Sequence, residues 1–256
     1  MSNYIPTSER DFFRDYIVYR AHDSLGDILV VDNQHYRNLT FGLIDRQSSM
    51  NVKRPHVLID EYTRAMMLVL GFTTPHHVTV LGLGGGCLLR SLCHTLPECK
   101  IHAIELRQQV YEVASEYFGI PESNNILITI ADAKYWLQNT EKSSTNIIFA
   151  DMYHSDGVDS YQVQKNFIQQ CARVLNNDGW LVINFHEITN FKTPFFKYLC
   201  SRFSDVFVCS TSSGNDIVLA SKHPIAALHQ FEFMVTALEE KLETKIMHLF
   251  KNLARL

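Results

Sequence analysis

From Thr74 onward the sequence alternates five times between a short apolar run and a segment with helical spacing. The pairs are "HVTVLGLG" with "GCLLRSLCHTL", "KIHAIEL" with "RQQVYEVASEYFG", "ILITIAD" with "AKYWLQNT", "TNIIFADM" with "SYQVQKNFIQQCARVL", and "GWLVINFH" with "FKTPFFKYLCSRF". Strands that are apolar on both faces, each followed by a helix, predict a parallel sheet covered by helices on both sides. The pattern then breaks. "DVFVCST" and "NDIVLASK" are separated only by "SSG", too short for a crossover helix, so these two strands must form a hairpin.

The remainder of the chain divides around this unit. Residues 16–41 read as short strands, "YIVYR", "DILVVD" and "HYRNLTFG", bounded by turn formers, which predict a small antiparallel β-meander. "LIDRQSSMNVKRPH" reads as a loop, and "VLIDEYTRAMMLVLGF" as a helix that closes at Gly71. The tail from residue 223 carries one or two amphipathic helices, which pack on the body or on a second copy of the chain in a homodimer. The expected domains are 1–72 (meander plus helix), 73–222 (the α/β unit) and 223–256 (helical tail).

Composition excludes several function classes. A net charge of −4 without a basic run argues against nucleic-acid or membrane-surface binding. No stretch nears the roughly 18 apolar residues of a membrane span, and the N-terminus lacks a secretory pattern. The six cysteines lie scattered in apolar segments with no zinc-ligand spacing, which predicts reduced core residues and a cytoplasmic protein without a metal.

Four of the 11 glycines, Gly82, Gly84, Gly85 and Gly86, stand where the first parallel strand meets its helix. Removing side chains there lets backbone N–H groups approach a polar ligand. Glu105 ends the second strand about 20 residues on, where nucleotide-binding α/β folds place an acid for ribose hydroxyls. Asp132 and Asp151 follow the third and fourth strands, so three acids gather on one sheet edge. Together with the glycines they predict a nucleoside site.

The open α/β sheet ending in a hairpin resembles the class I methyltransferase fold, an open, mostly parallel, seven-stranded Rossmann-like sheet. Residues 16–222 more specifically resemble the spermidine synthase family, the aminopropyltransferases, through "LGDILVVDN", the glycine turn, "IEL", "ADA" and "IIFADMYH". By that likeness Gly82, Gly84 and Gly86 would lie beside a sulfur nucleoside, Glu105 would hold its ribose, and Asp132 with Ala133 would meet the adenine. Tyr62 matches an active-site tyrosine, Gln47 loosely matches a glutamine near the nucleoside, and Asp151 matches the first acid of a D-x-x-D loop. The second acid of that loop falls on His154, the acid that follows the triple glycine is replaced by Cys87, and the glutamine after the tyrosine by Thr63. Asp156, or His154 as a neutral base, would then deprotonate the attacking amine. Asp159, His186 and Glu187 are further candidates for the pocket.

The resemblance implies a transferase of polyamine biosynthesis that moves an aminopropyl group from decarboxylated S-adenosylmethionine to a small-molecule amine acceptor. Two alternatives stand beside it: a methyltransferase using S-adenosylmethionine itself, which the change at Cys87 favours, and a non-catalytic nucleoside-binding or oligomerising homologue.

Overall fold

The computed structural model describes residues 17–42, 45–154 and 157–256. The N-terminal sheet is a meander of β1 (Ile17–Asp23), β2 (Gly26–Asp32), β3 (Tyr36–Phe41) and β4 (Asp45–Asn51), each antiparallel to the next. β4 falls in the segment read as a loop. Its sequence, DRQSSMN, has no apolar alternation, yet Ser48 and Ser49 are buried and Met50 pairs with Arg37 across the ladder. The helix expected over 57–72 is shorter: α1 (Glu61–Met66) continues as a 3₁₀ turn over Met67–Gly71.

The central sheet is built from β5 (His77–Leu81), α2 (Cys87–Thr95), β6 (Lys100–Glu105), α3 (Gln108–Tyr117), β7 (Ile126–Ile130), α4 (Ala133–Asn139) and β8 (Thr145–Ala150). After the two-residue strands β9 (Tyr153–His154) and β10 (Gly157–Val158) come α5 (Lys165–Val174), β11 (Leu175–His186), α6 (Pro194–Arg202), β12 (Asp205–Ser210) and β13 (Asn215–Ser221). α5 starts five residues later than Ser160, where the sequence placed it, because Gln164 is extended and the residues before it form turns. The tail supplies α7 (Glu232–Leu242), α8 (Met247–Lys251) and β14 (Ala254–Arg255).

Strand order is β14-β12-β13-β11-β8-β5-β6-β7, with β11, β8, β5, β6 and β7 parallel and β12, β13 and β14 antiparallel to their neighbours. The seven expected strands are all there, and β14 adds an eighth at the hairpin edge. Alternation along β8 shows how the sheet is buried on both faces. Ile147 and Phe149 join the layer under α1, α2 and α7, whereas Ile148 and Ala150 join the layer under α4, α5 and α6. The tail packs on the body: Val235, Leu238 and Leu242 of α7 and Leu249 and Phe250 of α8 share one core with Trp180 and Phe207. The meander packs on α3 through Val30, Leu39, Val110 and Val113.

Of the six cysteines, none forms a disulfide; Cys99, Cys171 and Cys209 are buried, but Cys200 is exposed, unlike the core residue expected. Among the described residues, no helix is long and apolar enough to cross a membrane.

Candidate active site

A cavity of about 780 Å³ opens over the carboxyl ends of β5, β6 and β8, roofed by β4 and the start of α1. The glycine turn forms its floor. Gly82 has a φ of +92°, and a Cβ there would collide with the carbonyl of Asp151. The adjacent strands are locked at that level by Gly82 N–H to Ile104 O and Asp151 N–H to Leu81 O, both 2.9 Å. Gly84, which lines the cavity, also has a positive φ, +52°, but a Cβ there would meet nothing within 4 Å. Gly86 does not line the cavity. It precedes α2 as its N-cap, facing Ile120 and Arg90, so its lack of a side chain serves packing. Arg90 fastens the turn from below, donating to the carbonyls of Gly85, Phe118 and Pro55.

Glu105 stands at the end of β6, 6% exposed. Its Oε2 accepts the N–H groups of Leu83 at 2.9 Å and Gly84 at 3.4 Å, and its Oε1 accepts Arg107 N–H at 2.9 Å. Burial raises its pKa, and these donors offset only part of that rise. The carboxylate therefore shapes the glycine turn as well as facing the cavity. Arg107 extends the link to the meander by a bidentate pair with Asp23 at 2.8 and 2.9 Å and by lying 4.5 Å from the ring centroid of Phe41. Asp132 and Ala133 line the cavity at the start of α4; Asp132 caps that helix by accepting Lys134 N–H at 2.7 Å.

Asp151, Tyr62, Cys87 and Gln47 also line the cavity, and the first three lie close enough to feel one another's charge. Asp151 Oδ1 accepts the Asn184 side-chain amide at 2.8 Å. Burial, with a smaller push from Asp60, raises the Asp151 pKa to about 6 in spite of that hydrogen bond. Tyr62 donates to the Gln47 carbonyl at 3.4 Å, and burial keeps its phenol protonated. Cys87, the first residue of α2, is a neutral thiol whose pKa burial pushes up to about 11. Asn184 is itself fixed: its side-chain oxygen accepts from Asn215 at 3.0 Å, and its carbonyl accepts from buried Gln162 at 2.7 Å and from Tyr153 at 3.2 Å.

His186 and Asp159 also line the cavity; Glu187 does not, and its N–H bonds the carbonyl of Gly214. The His154 backbone belongs to β9, but its side chain, and Asp156 entirely, lie outside the described residues.

Sequence reasoning missed Asp60, Arg46, Asn184 and Tyr153, all cavity-lining. Asn184 left a signal, a polar residue near the end of an otherwise apolar strand. Asp60 left none, because an Asp before a helix is ordinarily a cap. Outside the cavity, His56, His94 and Glu243 bring their ligand atoms within 4.8 Å of one another, but Glu243 is already charge-paired by Arg54.

Residues 59–236 match the Spermine/spermidine synthase domain. The polyamine aminopropyltransferase of Neisseria meningitidis serogroup A is 29% identical over 205 residues, 78% of each chain. A probable spermidine synthase from Corynebacterium glutamicum superposes with a TM-score of 0.74 at 17% identity, over 86% of this chain and 87% of that one. A spermidine synthase in complex with the transition-state analogue AdoDATO superposes with a TM-score of 0.70 at 18% identity, over 93% of this chain and 84% of its own. At these identities the structural likeness is one of fold.

Proposed function

The chain belongs to the spermine/spermidine synthase family, and from that membership we propose that it transfers an aminopropyl group from decarboxylated S-adenosylmethionine to a small-molecule amine. Its structural neighbour's AdoDATO complex supports an adenosyl-type ligand in the cavity. The observation that carries the proposal is the presence, in the lining of one cavity, of the Glu105–glycine turn together with the half-buried Asp151 carboxylate.

In this reading the nucleoside lies across Gly82 and Gly84, with its ribose on Glu105 and its base beside Asp132 and Ala133. The sulfonium and its aminopropyl chain point to Tyr62, Cys87 and Asp151. The amine lone pair attacks the aminopropyl carbon bonded to sulfur. A C–N bond forms, the C–S bond breaks, and its electron pair stays on sulfur, so neutral methylthioadenosine leaves. The attacking nitrogen loses one proton. With a pKa of about 6, Asp151 is mostly ionised at pH 7 and can orient the amine and receive that proton. Much of the acceleration would come from holding nitrogen and carbon in line.

The test is a product assay with 1,4-diaminobutane and either donor. Methylthioadenosine and the N-aminopropyl amine should appear with decarboxylated S-adenosylmethionine. A methylated amine formed only from S-adenosylmethionine would overturn the proposal in favour of a methyltransferase, and nucleoside binding with no product from either donor would indicate a non-catalytic homologue.

A further inference from the structure

An aminopropyl donor ends in an ammonium, and an alkylamine acceptor is also cationic at neutral pH, so the cavity must accommodate more than one positive charge. Desolvating such charges is costly unless carboxylates replace the lost water. Cys87 supplies none, being a neutral thiol. Asp60 does supply one. It lines the cavity with Asp151, Tyr62 and Cys87, its side chain is 11% exposed, and its charge is felt at all three of those residues.

Two features show that this carboxylate is not occupied with holding its helix. Asp60 is the N-cap of α1, yet its side chain makes no cap hydrogen bond. Oδ1 instead accepts from Arg46 Nη2 at 2.7 Å, and the carboxylate also accepts a backbone hydrogen bond from Ser49 of β4, which holds it in place beside the cavity. Arg46 comes from β4, lines the same cavity, and has a side chain 57% exposed, so it can leave the pair for water at little cost. The other cation felt at Asp60, Arg64, is not free in that way, because its guanidinium donates to the carbonyl of Ile59 at 3.1 Å.

Resting on the aminopropyl-transfer reading, we propose that Asp60 is a cation-binding, specificity-determining residue of the cavity and that a substrate ammonium replaces Arg46 on it. Arg46 is then an internal competitor of the substrate. The two residues form an exchangeable ion pair in which one partner binds the amine and the other opposes its binding.

Steady-state kinetics with decarboxylated S-adenosylmethionine and 1,4-diaminobutane test this in wild type, Asp60→Asn, Arg46→Gln and the double variant. Asp60→Asn should raise the KM of one cationic substrate roughly tenfold or more, with a smaller effect on kcat. Arg46→Gln should lower the same KM about two- to fivefold. The double variant should match Asp60→Asn, since Arg46 has nothing to oppose once the acid is gone. An unchanged KM in Asp60→Asn, or a KM that rises in Arg46→Gln, would overturn the inference. If wild type transfers no aminopropyl group, the parent reading fails instead. Calorimetric binding of 1,4-diaminobutane to the same four proteins then decides the Asp60 role by the same pattern of opposed effects.

Discussion

The Asn184 side-chain amide donates to Asp151 Oδ1 at 2.8 Å, across the gap between the ends of β11 and β8. This hydrogen bond favours the ionised form of a carboxyl group whose burial lifts its pKa to about 6. Replacing Asn184 by Leu removes a hydrogen bond to a charged acceptor worth about 1.5–3 kcal/mol, equivalent to roughly one to two pKa units. The acidic limb of the pH profile of kcat/KM, which should lie near pH 6 in wild type, is expected to move up by about that much. A limb that stays in place would separate Asp151 from the proton transfer.

Asp151 also sets a pH dependence of stability. Its folded pKa lies above the unfolded value, so between the ordinary carboxyl value of 3.8 and about 6 the folded state holds a proton that the unfolded chain has released. Stability contributed by this group is therefore full at low pH and is lost as pH rises through that window. Asp151→Asn should abolish transfer yet raise the melting temperature at pH 7, by up to about 3 kcal/mol of stability. Melting curves at pH 4 and pH 7 check it: the gain should shrink at the lower pH.

Glu105→Gln should weaken both the fold and the nucleoside site. An amide can present only one oxygen, so its NH₂ must face either the Leu83 and Gly84 donors or the Arg107 donor. A loss of about 1–3 kcal/mol in urea unfolding is expected, together with weaker methylthioadenosine binding by titration. Weaker binding at unchanged stability would mean that the turn does not depend on this carboxylate.

The glycines separate by experiment. Gly82→Ala drives a Cβ into the Asp151 carbonyl and should unfold the sheet edge or displace Asp151. Gly84→Ala meets nothing, so it should cost only about 1–2 kcal/mol for its left-handed backbone and remain folded. Its methyl group would nevertheless enter the cavity floor, and methylthioadenosine affinity should fall at least severalfold. Paired unfolding and calorimetric measurements on the two variants distinguish these outcomes.

Cys87→Asp should favour the decarboxylated donor over S-adenosylmethionine by about tenfold, since the new carboxylate attracts a terminal ammonium and repels an amino-acid carboxylate. Calorimetry with both donors reads that ratio. A flat ratio would show that residue 87 does not face the donor tail.

The parallel strands, the terminal hairpin and the acids at the sheet edge were legible because each depends on a local pattern: apolar runs, a three-residue connection, a carboxylate at a strand end. β4 was not. Its Ser48 and Ser49 are buried although they are polar, and Ser48 lies so close to Gly85 that a Cβ on that glycine would meet it, so the strand carries its burial on residues that show no apolar stripe. Asp60 escaped for a related reason. Its sequence position is that of a helix cap, and only the pairing with Arg46 from a strand 14 positions away reveals where the carboxylate points. The packing of Gly86 left no signal, since a glycine that opens onto a ligand and one that faces Ile120 look alike in sequence.

β14 lies along the outer side of β12, with Ala254 paired to Val208 and Leu256 N–H bonded to the Val206 carbonyl at 2.9 Å. Unpaired edge strands are templates on which another chain can polymerise. By occupying one edge of the central sheet, the tail leaves β7 as that sheet's other terminal strand, with Leu127 57% exposed on it. Among the described residues, losing Ala254, Arg255 and Leu256 would leave β12, largely buried and strongly apolar, as a second unpaired terminal strand of this sheet and so a further template for another chain.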